Sequence, residues 1–161
     1  MSAAVTTSTA PAWRGAARVR SLFATNDDRV ALALRVAFAG VMWPHGAQHA
    51  LGWFGGYGFG GTYGWMTTTL GIPAPLADRV ALAIVTELVA PALLLVGLGG
   101  RLAAAGLGAV LAVAATTHAA NGFFMNWFGS QAGEGFEYYL LGVAIALALV
   151  VRGSGALSVD R

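Results

Sequence analysis

The sequence predicts an all-α integral membrane protein, a four-helix bundle with its N-terminus and C-terminus both cytoplasmic. Three observations predict it. The 161 residues are 57% hydrophobic and 10% charged, with a mean hydropathy of +0.69, which is too apolar for a soluble domain of this length. The apolar residues gather into runs of the length that a hydrocarbon core of ~30 Å demands, about 20 residues per helix. All the basic residues are Arg, and they are grouped rather than scattered. The runs are read as helices because open strands cannot satisfy their backbones in lipid.

Residues 1–29 are rich in Ser, Thr and Ala and contain Arg14, Arg18 and Arg20. No apolar stretch here is long enough to insert, so the segment reads as a loosely ordered cytoplasmic tail. The first span covers 30–51. Ala37, Phe38 and Ala39 fit a small-residue cleavage pattern but lie inside the apolar run, so the span is read as retained. Segment 52–75 alternates glycines with Trp53, Phe54, Tyr57, Phe59, Tyr63 and Trp65. It reads as an interfacial aromatic belt, with a re-entrant cap over a pocket as the alternative.

The second and third spans, 76–98 and 102–120, are joined by a tight turn holding Arg101. The fourth, 136–151, is short and is expected to start in the interface. Residues 30–152 thus form one transmembrane domain, followed by a cytoplasmic C-terminal tail at 153–161. Arg29 precedes the first span and Arg152 and Arg161 follow the fourth, whereas 52–75 and 121–135 contain no Lys or Arg. The positive-inside rule therefore places both termini and the 99–101 turn in the cytoplasm and the two long loops outside. Ala104, Gly108, Ala112 and Thr116 make a smooth ridge on the third span, and Gly142 and Ala146 a shorter one on the fourth.

The polar residues inside the spans collect in the outer third of the bundle. By a helical rise of ~1.5 Å per residue, His45 lies about 8 Å below the outer surface, His118 about 6 Å, and Glu87 about 11 to 16 Å. Gln48 and His49 sit one turn above His45, and Asn121, Glu134 and Glu137 stand at the mouth. Each alone reads as a separately satisfied polar group; together they point to a shared site, because polar groups in hydrocarbon are costly. Glu87 and His118 are the candidate catalytic residues, and His45, Gln48, His49, Asn121 and Glu137 the candidate ligand-binding residues. Pro91 frees the carbonyl of Glu87 and Pro44 that of Gly40, exposing acceptors beside the polar groups.

Other chemistries are restricted by what the chain contains. Without cysteine it forms no disulfide, thiol relay or thiolate metal site. His45 and His49 have i, i+4 spacing, but no third ligand accompanies them in a zinc-like pattern, so neither a metal nor haem is expected. Arg35 lies about 8 Å from the cytoplasmic surface by helical rise. It either snorkels or forms a structural ion pair with Glu87.

His45-Gly46-Ala47-Gln48-His49, then Leu51-Gly52-Trp53-Phe54-Gly55-Gly56, Glu87, Gly97-Leu98 with Arg101 and Ala103-Ala104, and finally Gly122-Phe123-Phe124 and Glu137-Tyr138 occur in order. Together they resemble the DoxX family of four-helix bacterial membrane proteins over about residues 30–160. The family pattern usually has Lys where this chain has His49, so a fixed cation is replaced by a titratable group.

The resemblance implies a multi-pass protein of the bacterial cytoplasmic (inner) membrane, associated with oxidoreductase complexes of thiol, sulfur or oxidative-stress chemistry. The function expected is a membrane subunit of a quinone-linked oxidoreductase, with quinone as ligand and the outer polar cluster as its head-group site. Its partners would be the lipid bilayer and a soluble or membrane redox protein; no nucleic-acid partner is expected. Two readings stand beside this one. The first is a non-catalytic anchor for a soluble redox enzyme; the second is a protein that binds or transports a small molecule or lipid.

Overall fold

The computed structural model describes residues 20–70, 73 and 76–161, with Ala77 described by its backbone only. Arg14, Arg18 and loop positions 71, 72, 74 and 75 lie outside the described residues. Five helices follow a helical turn at 20–23: α1 (Arg29–Leu51), α2 (Gly58–Thr68), α3 (Ala77–Val96), α4 (Gly100–His118) and α5 (Glu137–Arg152). Short 3₁₀ turns follow α1 at Trp53–Gly55 and α4 at Ala119–Asn121, and no strand occurs among the described residues. Among the described residues three segments are long and apolar enough to cross a membrane: Arg29–Leu51, Asp78–Val96 and Gly100–Asn121. α5 has 16 residues, about 24 Å by helical rise against a core of ~30 Å.

The expected spans fall on α1, α3, α4 and α5, with ends displaced by no more than two residues. α1 packs on α3, α3 on α4 and α4 on α5, while α2 packs on both α1 and α3. One core joins the long helices, built from Phe38, Ala39 and Met42 of α1, Ala90 and Leu94 of α3, Leu107 and Leu111 of α4, and Ala146 and Leu149 of α5. Small residues let the backbones approach, as packing within lipid requires. A Cβ on Gly108 would come to 3.0 Å from that of Ala146, and one on Gly142 to 2.5 Å from Leu111 Cδ1. The ridge of α4 divides accordingly: Ala104 and Gly108 face inward, whereas Ala112 and Thr116 are exposed. The Thr116 hydroxyl donates to the carbonyl of Val113, so an exposed polar atom is satisfied locally.

One end of these helices is held by arginines. α3 ends at Gly97, whose φ of 69° is left-handed, with Leu98 N–H donating 3.0 Å to Leu93 O in a glycine-terminated helix end. Arg35, 1% exposed, donates through Nη1 to Leu94 O and Leu95 O, both at 2.6 Å. Its Nη2 donates to Ala156 O at 3.1 Å and Leu157 O at 2.6 Å. Arg101 donates to Val150 O and Val151 O at the end of α5 and to Ala24 O. Asp160 accepts from Gly99 N–H at 2.8 Å and Gly100 N–H at 3.1 Å, placing an anion at the start of α4. Segment 153–161 therefore folds back against the helix ends.

Two expectations are corrected here. Residues 20–28 are not loose: Asp28 caps α1 by accepting from Val30 N–H at 2.9 Å and Ala31 N–H at 3.1 Å, and it pairs with Arg152. Arg35 forms no ion pair with Glu87. Helical side chains tilt toward their own N-terminus, and α1 and α3 run antiparallel, since Arg35 meets Leu94 while His49 meets Glu87. Arg35 and Glu87 consequently tilt in opposite directions. The α3 carbonyls that satisfy Arg35 are those a helix end leaves without intrahelical donors.

Candidate functional site

The end opposite Arg35 and Arg101 carries the candidate site, and its geometry begins with Gly46. Pro91 has no N–H to donate to the carbonyl of Glu87, and Gly46 of α1 lies directly over that carbonyl. A Cβ on Gly46 would come to 2.1 Å from Glu87 O and 2.6 Å from Leu88 N. This close approach carries the next turn of α1 to the Glu87 side chain. His49 Nδ1 hydrogen-bonds Glu87 Oε2. The carboxyl is 10% exposed and the imidazole 32%, so an ionisable group between two spanning helices is paired rather than left in hydrocarbon.

A second imidazole is fixed on α4. His118 Nδ1 lies 2.9 Å from Ala114 O and Nε2 lies 3.2 Å from the Tyr139 hydroxyl of α5. A carbonyl only accepts, so Nδ1 carries a proton toward Ala114 O, while Nε2 and the Tyr139 hydroxyl share a hydrogen bond. The rings run onward from this pair. Tyr139 and His118 have centroids 4.8 Å apart, Tyr138 and Tyr139 6.1 Å, and His45 and Tyr138 6.5 Å. A continuous row His45, Tyr138, Tyr139, His118 thus crosses from α1 over α5 to α4. Among the described residues neither the nitrogens of His45, Nε2 of His49 nor the Tyr138 hydroxyl has a hydrogen-bond partner.

The remaining candidates serve the loops. Gln48 donates to Phe54 O at 3.3 Å, closing the turn after α1. Asn121 donates to Glu134 O at 2.9 Å, and Glu134 accepts from Asn126 N–H at 2.7 Å. Glu137 Oε1 accepts from Met125 N–H and from the Trp127 indole N–H, both at 3.0 Å. The outer cluster therefore divides into a His49–Glu87 pair, a His–Tyr row and a loop-holding network. Glu87 and His118, the candidate catalytic residues, sit in the first and second of these respectively.

Tyr138 and Tyr139 were not anticipated as site residues. The one signal for them is position: Tyr138 and Tyr139 open the fourth span at the same end at which His118 closes the third. No group of three or more His, Asp or Glu capable of holding a metal occurs among the described residues.

Membrane-length apolar helices around buried polar side chains define a multi-pass helical membrane protein in contact with the bilayer. A model of the DoxX family matches residues 30–120, more than half of the chain, and the protein belongs to that family. No curated protein and no solved structure matches it.

Proposed function

We propose that this protein is the membrane subunit of a quinone-linked oxidoreductase of thiol, sulfur or oxidative-stress chemistry in the bacterial inner membrane. In this reading α5 is the fourth crossing, and both termini face the cytoplasm because Arg29, Arg101, Arg152 and Arg161 all lie at one end. The observation that carries it is the His49–Glu87 pair between spanning helices, beside the His–Tyr row.

The residues present suit a quinone head group. Its oxygens accept hydrogen bonds, and the free atoms of His45, His49 and Tyr138 can donate them between apolar and aromatic walls. A bound quinone would supply the redox chemistry. The chain's own groups would orient it and move protons: Glu87 exchanges with His49, and Tyr139 with His118 Nε2, along hydrogen bonds already formed. The electron donor is assigned to a partner protein, because the chain has no cysteine of its own. Purified protein extracted into organic solvent and assayed for quinone tests the reading; protein free of quinone, and giving no quinone-dependent turnover in its intact complex, counts against it.

The anchor reading is favoured by a different observation. Gln48, Asn121, Glu134 and Glu137 are all engaged in holding loops. A protein of that kind would co-purify with a soluble redox enzyme and lose nothing when Glu87 is neutralised.

A further inference from the structure

The segment between α4 and α5 is tied together by its polar side chains, while its aromatic groups face out. Glu137 and Glu134 accept from the loop backbone at Met125 and Asn126, and Asn126 Oδ1 accepts from Gln131 N–H at 3.0 Å. Phe136 N–H donates to Gly122 O at 3.2 Å, and Glu137 N–H to Phe123 O at 2.9 Å. The indole N–H of Trp127 is satisfied by Glu137. Phe123, Phe124, Trp127 and Phe128 remain exposed, Phe128 at 94%. The segment contains no Lys or Arg.

Helix length says where this surface lies. The membrane-length segment Gly100–Asn121 has 22 residues, about 33 Å by helical rise, whereas α5 supplies only about 24 Å. Phe136 N–H and Glu137 N–H donate to Gly122 O and Phe123 O, so α5 begins level with the end of that segment. The loop therefore starts where a ~30 Å core has already been crossed and lies at its boundary. Irregular backbone is excluded from the hydrocarbon itself unless its groups are paired; here the N–H groups of Gly122, Met125, Asn126, Trp127 and Gly129 are paired within the protein, which suits the interface, where water reaches the rest.

We infer that residues 122–129 lie in the interfacial region of the bilayer as an aromatic cap held by Glu137 and Glu134, contacting lipid rather than a protein partner. The inference rests on the proposed fourth crossing. The cap closes on the turn of α5 that carries Tyr138 and Tyr139, so a ligand dissolved in the membrane reaches that row without passing through water.

The test uses single-cysteine variants of the full chain, which is free of background thiols. Phe128→Cys and Ser130→Cys are spin-labelled in vesicles of phosphatidylethanolamine and phosphatidylglycerol. Accessibility to oxygen, which concentrates in lipid, is compared with accessibility to an aqueous nickel chelate. The label at 128 should favour oxygen and the label at 130, on the polar stretch, should favour the chelate. Preference for the chelate at both sites overturns the inference and makes the aromatic face a water-facing surface for a protein. In intact cells an impermeant maleimide should modify Ser130→Cys but not Val159→Cys. Modification of both would remove the fourth crossing itself, a failure distinct from a water-exposed Phe128.

Discussion

Gly46 of α1 lies over the main-chain carbonyl of Glu87 on α3, so closely that a Cβ would come to 2.1 Å from the oxygen. The pairing of His49 with Glu87 depends on that approach. Gly46→Ala must push the helices apart, at a cost of about 1–3 kcal/mol for overpacking. Gly40→Ala on the same helix meets nothing within 4 Å and should be neutral or stabilising, by up to ~1 kcal/mol through helix propensity. Thermal unfolding of both variants in detergent checks the contrast, and equal melting temperatures would show that the α1–α3 contact is slack.

Arg35 should behave as a structural clasp. Its guanidinium serves four carbonyls on α3 and the C-terminal segment, a task that a Lys ammonium, with three donors and no planar fork, cannot repeat. Arg35→Lys is expected to lower stability by about 1.5–3 kcal/mol, the range for hydrogen bonds to a charged group. It should also release segment 153–161 to carboxypeptidase. A tail as resistant as the parent's would show that Asp160 holds it alone.

Asp28 gives this end a pH dependence of definite sign. Hydrogen bonds from Ala31 N–H first, then the Arg152 guanidinium, hold its carboxyl below the ordinary value of 3.8, against the opposing effect of desolvation. A lowered folded-state value stabilises at pH above the unfolded one, and the contribution disappears as pH falls below about 3.8 through the folded value. Asp28→Asn can still cap the helix but loses the pair with Arg152. Melting temperature against pH should therefore fall less steeply below pH ~4 in the variant than in the parent. Parallel curves would remove Asp28 from the account.

His49→Lys restores the residue usual in the family. A Lys ammonium stays charged where a free imidazole titrates, about pH 5.5 to 7.5. Quinone-linked activity of the variant should be flatter across that range than the parent's. Identical profiles would mean that His49 does not change protonation during function.

How legible the chain was depends on what each feature needed. The long helices were readable because about 20 apolar residues admit one structure in lipid. α2 was not: Gly58, Gly60, Gly61 and Gly64 disfavour helix by propensity, and packing on α1 and α3 overrides them. The burial of Glu87 inside an apolar helix was legible, but its partner was decided by side-chain tilt in an antiparallel pair, which linear position does not contain. Arg35 misled for the same reason, since backbone carbonyls at a helix end leave no mark in sequence. Glu137 and Asn121 marked the mouth by position, yet their partners at Trp127 and Glu134 come from the loop's closure.

The most direct measurement is binding of a short-tailed, water-soluble quinone to the purified parent, Glu87→Gln and Glu87→Ala, with folding of each verified by circular dichroism. Saturable binding to the parent is expected, weakened about tenfold or more in both variants, which is ~1.4 kcal/mol of lost interaction. Absence of saturable binding to the parent, or equal affinity in all three proteins, would contradict a quinone site built on the His49–Glu87 pair.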